Sequence, residues 1–185
     1  MGIALADAAA GYGADVELVL GPVNITPKDS TIKVINVTTA ESMASECISR
    51  FPYSDIAILS AAVADYTPVV PGKKKIKKED KNLILQLKPT TDIAETLGNK
   101  KKTSQILAGF ALETENGIRN ASMKLLGKKL DLIVLNSMED PGAGFGHDTN
   151  RITIIDRYNN IDKFELKSKD EAARDILDKI VSMIK

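Results

Sequence analysis

Three short apolar runs, residues 56–59, 106–108 and 132–135, carry no polar residue at alternate positions. A strand with one face in water alternates apolar and polar side chains, whereas a strand covered on both faces does not. The runs are therefore read as strands with helices on either side, and that requirement leaves few folds open. The rest of the chain fits it. Residues 3–11 read as a helix stopped by Gly11-Tyr12-Gly13. Residues 16–20 read as a strand closed by Gly21-Pro22, and residues 32–37 as a second. Thr38 with Glu41 resembles a capping box opening a helix over 39–51, where Ala40, Met43, Ala44, Cys47, Ile48 and Phe51 recur at helical spacing. Residues 116–129 have the length and pattern of a crossover helix. Residues 151–156 and 163–166 flank Tyr158-Asn159-Asn160 and predict an antiparallel hairpin. Ser168 and Glu171 then cap a last helix, striped by Ala173, Ile176, Leu177, Ile180, Val181 and Ile184. The predicted fold class is α/β: a Rossmann-like, doubly wound, mostly parallel sheet with an appended C-terminal β-hairpin and helix, in a single domain over residues 1–185.

Composition narrows the function. Lys and Arg (25) balance Asp and Glu (25), which argues against nucleic acid or a membrane surface as partner, since both are held by excess positive charge. Cys47 is the lone cysteine and His147 the lone histidine, too few for an internal disulfide or a structural zinc site. The first residues have neither a basic n-region nor a long apolar run, so no signal peptide or spanning helix is expected there, and a cytoplasmic location is. The segment from Pro71 to Asp80 holds five lysines in ten residues. It is expected to be a mobile loop, either plainly solvated or a flap that closes over phosphates.

Ligands of open parallel sheets sit beyond the carboxyl ends of the strands. Those ends are followed here by Ser60-Ala61-Ala62-Val63-Ala64-Asp65-Tyr66, by Gly109 to Thr114, and by Asn136 with the glycine-rich residues 141–146. Asp65 is either a loop carboxylate capping nearby backbone or an acceptor for a ligand's hydroxyl or amine. Lys124 and Lys128 leave one face of the crossover helix. Like charges so spaced cost roughly a few tenths of a kcal/mol, which a bound anion would offset, although a solvated face is the commoner fate. His147 reads as a hydrogen-bonding loop residue, and Cys47 as an inert thiol on an apolar stripe. No Walker motif, dinucleotide fingerprint or nucleophile elbow occurs. The residues alone reach an α/β domain with a phosphate-binding rim.

Six ordered segments carry a resemblance further. Ala61 to Tyr66, Lys75-Ile76-Lys77-Lys78, Leu87 to Ile93, Gly109 to Thr114, Lys129 to Asn136 and Gly144 to Asn150 together resemble phosphopantothenate–cysteine ligase, the synthetase domain of the bacterial bifunctional coenzyme A biosynthesis flavoprotein. The resemblance implies CTP-dependent ligation of 4'-phosphopantothenate and L-cysteine through an acyl-cytidylate. It assigns nucleotide contacts to Leu59, Ser60, Ala61, Asp65, Thr91, Asp92, Ile93, Ala94, Phe110, Lys124 and Lys128, and makes Lys75 the catalytic lysine of the flap. Ala62 and Asn136 are expected along the substrate rim, and Mg²⁺ is expected to be held by phosphates rather than by protein ligands. The resemblance also implies a homodimer and an upstream FMN-dependent decarboxylase domain. Thr90-Thr91-Asp92, Leu112 and Asn136-Ser137-Met138 are mild departures from the family pattern. The larger one is at the front, where relatives have a first strand, a Gly-Gly-Thr turn and an asparagine that processes the acyl-cytidylate. The expectation is a truncated start, with an inactive nucleotide-binding or dimerising fragment as the alternative.

Overall fold

The computed structural model describes residues 1–72, 74, 82–113, 115–137 and 148–184. Helix α1 (Gly2–Gly11) leads into the parallel pair β1 (Glu17–Leu20) and β2 (Lys33–Asn36). After α2 (Ala40–Arg50) come β3 (Ile56–Leu59), β4 (Tyr66–Pro68), β5 (Leu87–Pro89) and α3 (Ile93–Lys100). Then follow β6 (Ile106–Glu113), α4 (Gly117–Gly127), β7 (Leu132–Ser137), β8 (Thr149–Asn150), β9 (Ile152–Asp156), β10 (Ile161–Lys163), β11 (Lys167–Ser168) and α5 (Lys169–Ser182). The main sheet has the order β10-β9-β7-β6-β3. Its β3, β6 and β7 are parallel, while β9 and β10 are added antiparallel.

The unbroken apolar runs are explained by what covers them. Ala108, Leu132, Val134 and Ile154 face one side, where they pack with Leu5 of α1 and with Ile176 and Ile180 of α5. Their neighbours Leu107, Ile133, Leu135 and Ile155 face the other, against Leu97 of α3 and Ala121 and Leu125 of α4. Successive strand side chains point to opposite faces, so β6 and β7 must be apolar at every position to fill both layers. Among the described residues, no helix is long and apolar enough to cross a membrane.

The sheet is divided between β1 and β3. Strand β1 pairs with β2, β3 pairs with β6, and among the described strands none pairs with the other edge of either. Helices cross the division. On one face Met43, Cys47 and Ile48 of α2 pack against the same core cluster as Ala57 and Leu59, and α2 also touches β1. On the other, Ala4, Ala8 and Ala9 of α1 pack against the same cluster as Ile56 and Ile58, while Asp7 of α1 accepts from the Lys28 and Asp29 N–H groups.

Several boundaries differ from the sequence reading. The first capping box is formed by Thr39 and Ser42, not Thr38 and Glu41: Thr39 is the extended residue, and its hydroxyl accepts from Ser42 N. The crossover helix stops at Gly127, and Lys129 turns the chain with a left-handed φ of 52°. The hairpin partner of β9 is residues 161–163, not 163–166. Asp156 pulls the turn tight by accepting from the Tyr158 and Asn160 N–H groups, and Asn159 takes φ 64°. Residues 167–168 pair instead with 149–150. The antiparallel ribbon β4–β5 was not anticipated. The capping box of Ser168 and Glu171 forms as expected. Burial pushes the half-buried Cys47 thiol upward, in keeping with an inert group. Lys75, the rest of the lysine run apart from Lys74, residues 141–146 and His147 lie outside the described residues.

Candidate functional site

A chain of contacts joins segments that the sequence separates. Strand β3 ends at Leu59, and Ser60 to Asp65 leave its carboxyl end. This loop is tied to the next segment by Thr90, whose N–H donates to the Asp65 carbonyl (2.9 Å) and whose hydroxyl donates to the Ala64 carbonyl (2.6 Å). The Asp65 carboxylate is left exposed above the loop. Two residues after Thr90, Asp92 caps α3 by accepting from the Glu95 N–H at 3.0 Å. Its other oxygen meets Lys128 Nζ at 2.8 Å. Burial opposes ionisation of Asp92, but the Glu95 N–H and the Lys128 ammonium outweigh it and hold the carboxyl below its ordinary value.

Helix α4 supplies the second cation. Lys124 Nζ lies 2.6 Å from Glu113 Oε1 at the end of β6, and Asn120 Nδ2 donates to the other oxygen of the same carboxylate. The Lys124 hydrogen bond is the main reason that Glu113 ionises below its ordinary value, against a smaller opposing effect of burial. The repulsion expected between Lys124 and Lys128 is thus relieved within the chain, one carboxylate to each ammonium. Both pairs are accessible, with the lysine side chains 47% and 35% exposed. Ions in that setting bind each other weakly and can change partners.

Three further features complete the rim. Ile93 is buried beneath the start of α3 and Ala94 is half-buried, while Thr91 is exposed. Of the first-turn N–H groups of α3, those of Ala94 and Glu95 already donate to the Asp92 carboxylate, which shows the preference of a helix N-terminus for anions. Phe110 is half-buried against the main core cluster. Asn136, at the carboxyl end of β7, has a buried Oδ1 with no hydrogen-bond partner. A buried acceptor left unpaired costs about 1–3 kcal/mol, so this atom favours any ligand that brings it an N–H or O–H. Ala61 and Ala62, in the loop after β3, are exposed. Sequence reasoning missed Gly2. A Cβ there would sit 2.8 Å from Ser60 Oγ, so its bareness lets the start of α1 approach the end of β3. It also missed Asp92 and Glu113 as counter-ions, because neither lies near its lysine in sequence.

Comparison with known proteins adds the following. Residues 1–184 match the family model described as DNA/pantothenate metabolism flavoprotein C-terminal domain. A protein named cysteine/cysteine sulfinic acid decarboxylase, from an unknown prokaryotic organism, is 58% identical over 184 residues, which are 100% of this chain and 51% of that one. The coenzyme A biosynthesis bifunctional protein CoaBC of Bacillus subtilis is 43% identical over 185 residues, covering 100% of this chain and 45% of the relative. The chain therefore spans about half the length of these relatives. Among solved structures, the C-terminal domain of a CoaBC protein superposes with a TM-score of 0.81 at 35% identity, over 98% of this chain and 82% of that one.

Proposed function

The chain belongs to the DNA/pantothenate metabolism flavoprotein C-terminal domain family, and from that premise we propose that it is a phosphopantothenate–cysteine ligase domain using CTP. The observation that carries the reading is the contact chain from Asp65 through Thr90 and Asp92 to Lys128, with Lys124 beside it on α4. It gathers a hydrogen-bond acceptor, a helix N-terminus and two exchangeable cations, which are the groups a nucleoside triphosphate needs.

In the first step the carboxylate oxygen of 4'-phosphopantothenate attacks the α-phosphorus of CTP, and the bond to the β-phosphate oxygen breaks to release pyrophosphate. Lys124 and Lys128 exchange Glu113 and Asp92 for phosphate oxygens, and Lys75 meets the charge that grows on the leaving pyrophosphate. In the second step the free amine of cysteine attacks the acyl carbon, CMP leaves, and the nitrogen gives up its proton. Asn136 Oδ1 accepts from a substrate N–H, which would satisfy it. Mg²⁺ would screen phosphate charge and would be held chiefly by phosphate oxygens. The domain works in the cytoplasm beside an upstream FMN-dependent decarboxylase domain, as a homodimer. Self-association is supported by the β4–β5 ribbon, which leaves Tyr66, Val69, Val70, Ile84, Leu85 and Leu87 exposed.

The test is turnover. A protein extended upstream to the length of its relatives should release pyrophosphate from CTP only with 4'-phosphopantothenate present, and should form the amide on adding cysteine. Pyrophosphate release with ATP but not CTP would overturn the nucleotide assignment; no amide with either would overturn the ligase. The identity of 58% to a protein named as a decarboxylase favours a second reading, in which the longer protein releases CO₂ from cysteine or its sulfinate. Measuring CO₂ from those amino acids in the same extended protein decides between them.

A further inference from the structure

At the opposite end of the sheet, where β6 and β7 begin, lies a cavity of about 470 Å³. It is lined by Lys101, Lys102 and Thr103 before β6, by Leu125, Leu126, Lys129, Leu130 and Asp131 around the turn from α4 into β7, and by Arg157 after β9. None of the residues assigned to the nucleotide lines it. Helix α3 alone, eight residues long, sets Asp92 about 12 Å from its own C-terminal end.

The charges do not balance. Asp131 is buried and fully engaged: it accepts from the Leu107 N–H, from Arg157 and from Lys101. The Lys102 ammonium donates to the neutral carbonyl of Pro52, and among the ion pairs of the described residues neither Lys102 nor Lys129 has a carboxylate against it. The plain explanation is that lysines gather at helix C-termini to offset the macrodipole, and both α3 and α4 end here. The magnitude is too small. Each helix end is worth about half a charge, so two ends and one carboxylate offset about two of the four cations. About two positive charges remain, beside an apolar wall on which Leu126 stays 71% exposed although Leu125 and Leu130 next to it are buried.

We propose that this cavity binds a phosphate monoester carrying a compact apolar group. A phosphate monoester bears a charge of about −1.5 to −2 near neutral pH, which matches the surplus, and Lys102 and Lys129 hold it while Leu126 covers the apolar group. The volume lies within the range of about 300–1,000 Å³ found for small-molecule sites. The location, behind α4, separates this ligand from the chemistry at Asp65 and Lys124.

Phenyl phosphate is the probe, titrated into the intact protein with its leucine methyls isotope-labelled for NMR. The methyls of Leu126 and Leu130 should shift in a saturable way. Phenol, which lacks the charge, and inorganic phosphate, which lacks the ring, should each bind at least about tenfold more weakly, a difference of about 1.4 kcal/mol. The double variant K102E/K129E, both positions exposed, should lose the shift, and Leu126→Ser should weaken it while keeping the response to inorganic phosphate. Unmoved leucine methyls at this end, equal shifts with phenol, or an undiminished response in K102E/K129E would each overturn the site.

Discussion

Gly98 is the residue on which the packing of α3 against the end of α4 turns. Alanine is the better helix former by about 1 kcal/mol, yet a Cβ at this position would fall 2.0 Å from the Lys128 carbonyl oxygen. Backbone cannot yield as a side-chain tip can, so Gly98→Ala should destabilise the protein by about 1–3 kcal/mol, read from urea midpoints. It should also weaken nucleotide binding by displacing Lys128 from Asp92; an unchanged midpoint would show that α3 and α4 do not touch this closely. Glu113 gives a test by pH. Its folded pKa is depressed, chiefly by the Lys124 hydrogen bond. The stability this confers is present above the unfolded pKa of about 4.3 and is lost as pH falls through the folded value. The gap in midpoint between the native chain and Glu113→Gln should therefore be widest near neutrality and close in acid; a constant gap would mean that the ion pair contributes nothing. If the proposed ligase reading holds, Lys75→Gln should slow pyrophosphate release far more than it weakens nucleotide binding, because a charge used mainly in the transition state affects rate more than ground-state binding. Equal rates with and without the substitution would remove Lys75 from the chemistry.

At the scale of elements, the strands that lie deepest were the most legible. Leu132 to Leu135 had the unbroken apolar look of a strand covered on both faces, and that is what the packing of α5 and α4 makes it. Caps were legible when one pattern fitted alone, as at Ser168. They slipped by a residue where Thr38, Thr39, Glu41 and Ser42 offered two overlapping boxes of similar chemistry. The ribbon β4–β5 escaped because its pairing partner lies some twenty residues away across the lysine run, and no local periodicity announces it. The site was half legible for a related reason. Asp65 and Asp92 stood out through ordered motifs, and Lys124 and Lys128 through their spacing on one helix face, whereas their contacts depend on how α3 and α4 pack. The edges of the divided sheet give a prediction for elements. Amides of β1 and β3 that face the division should exchange with deuterium much faster than those of β6 and β7, which are paired on both sides. Uniform protection across all four strands would show that the division is closed in solution.

For the whole molecule, that division sets the balance of stability. A domain holds only about 5–15 kcal/mol in total, and the residues of β1 and β3 on either side of the division stay exposed or half-buried, which forgoes apolar burial that would stabilise them. A polypeptide of these 185 residues should therefore unfold at low urea or associate through its open edges. A parallel strand supplied between β1 and β3, by an upstream extension or as a peptide, should raise the midpoint and suppress the association. Light scattering and urea titration on the two forms measure this, and matching curves would refute it. The two lysine–carboxylate pairs, at Lys124 of α4 and at Lys128 just past its end, have a consequence for selectivity. A small singly charged anion offers Lys124 or Lys128 no more than the carboxylate it must displace, so it gains nothing by entering. Only a long, multiply charged guest that spans both ammoniums at once outbids the internal partners. On the proposed ligase reading the pairs would act as a threshold, deaf to chloride and responsive to polyphosphate.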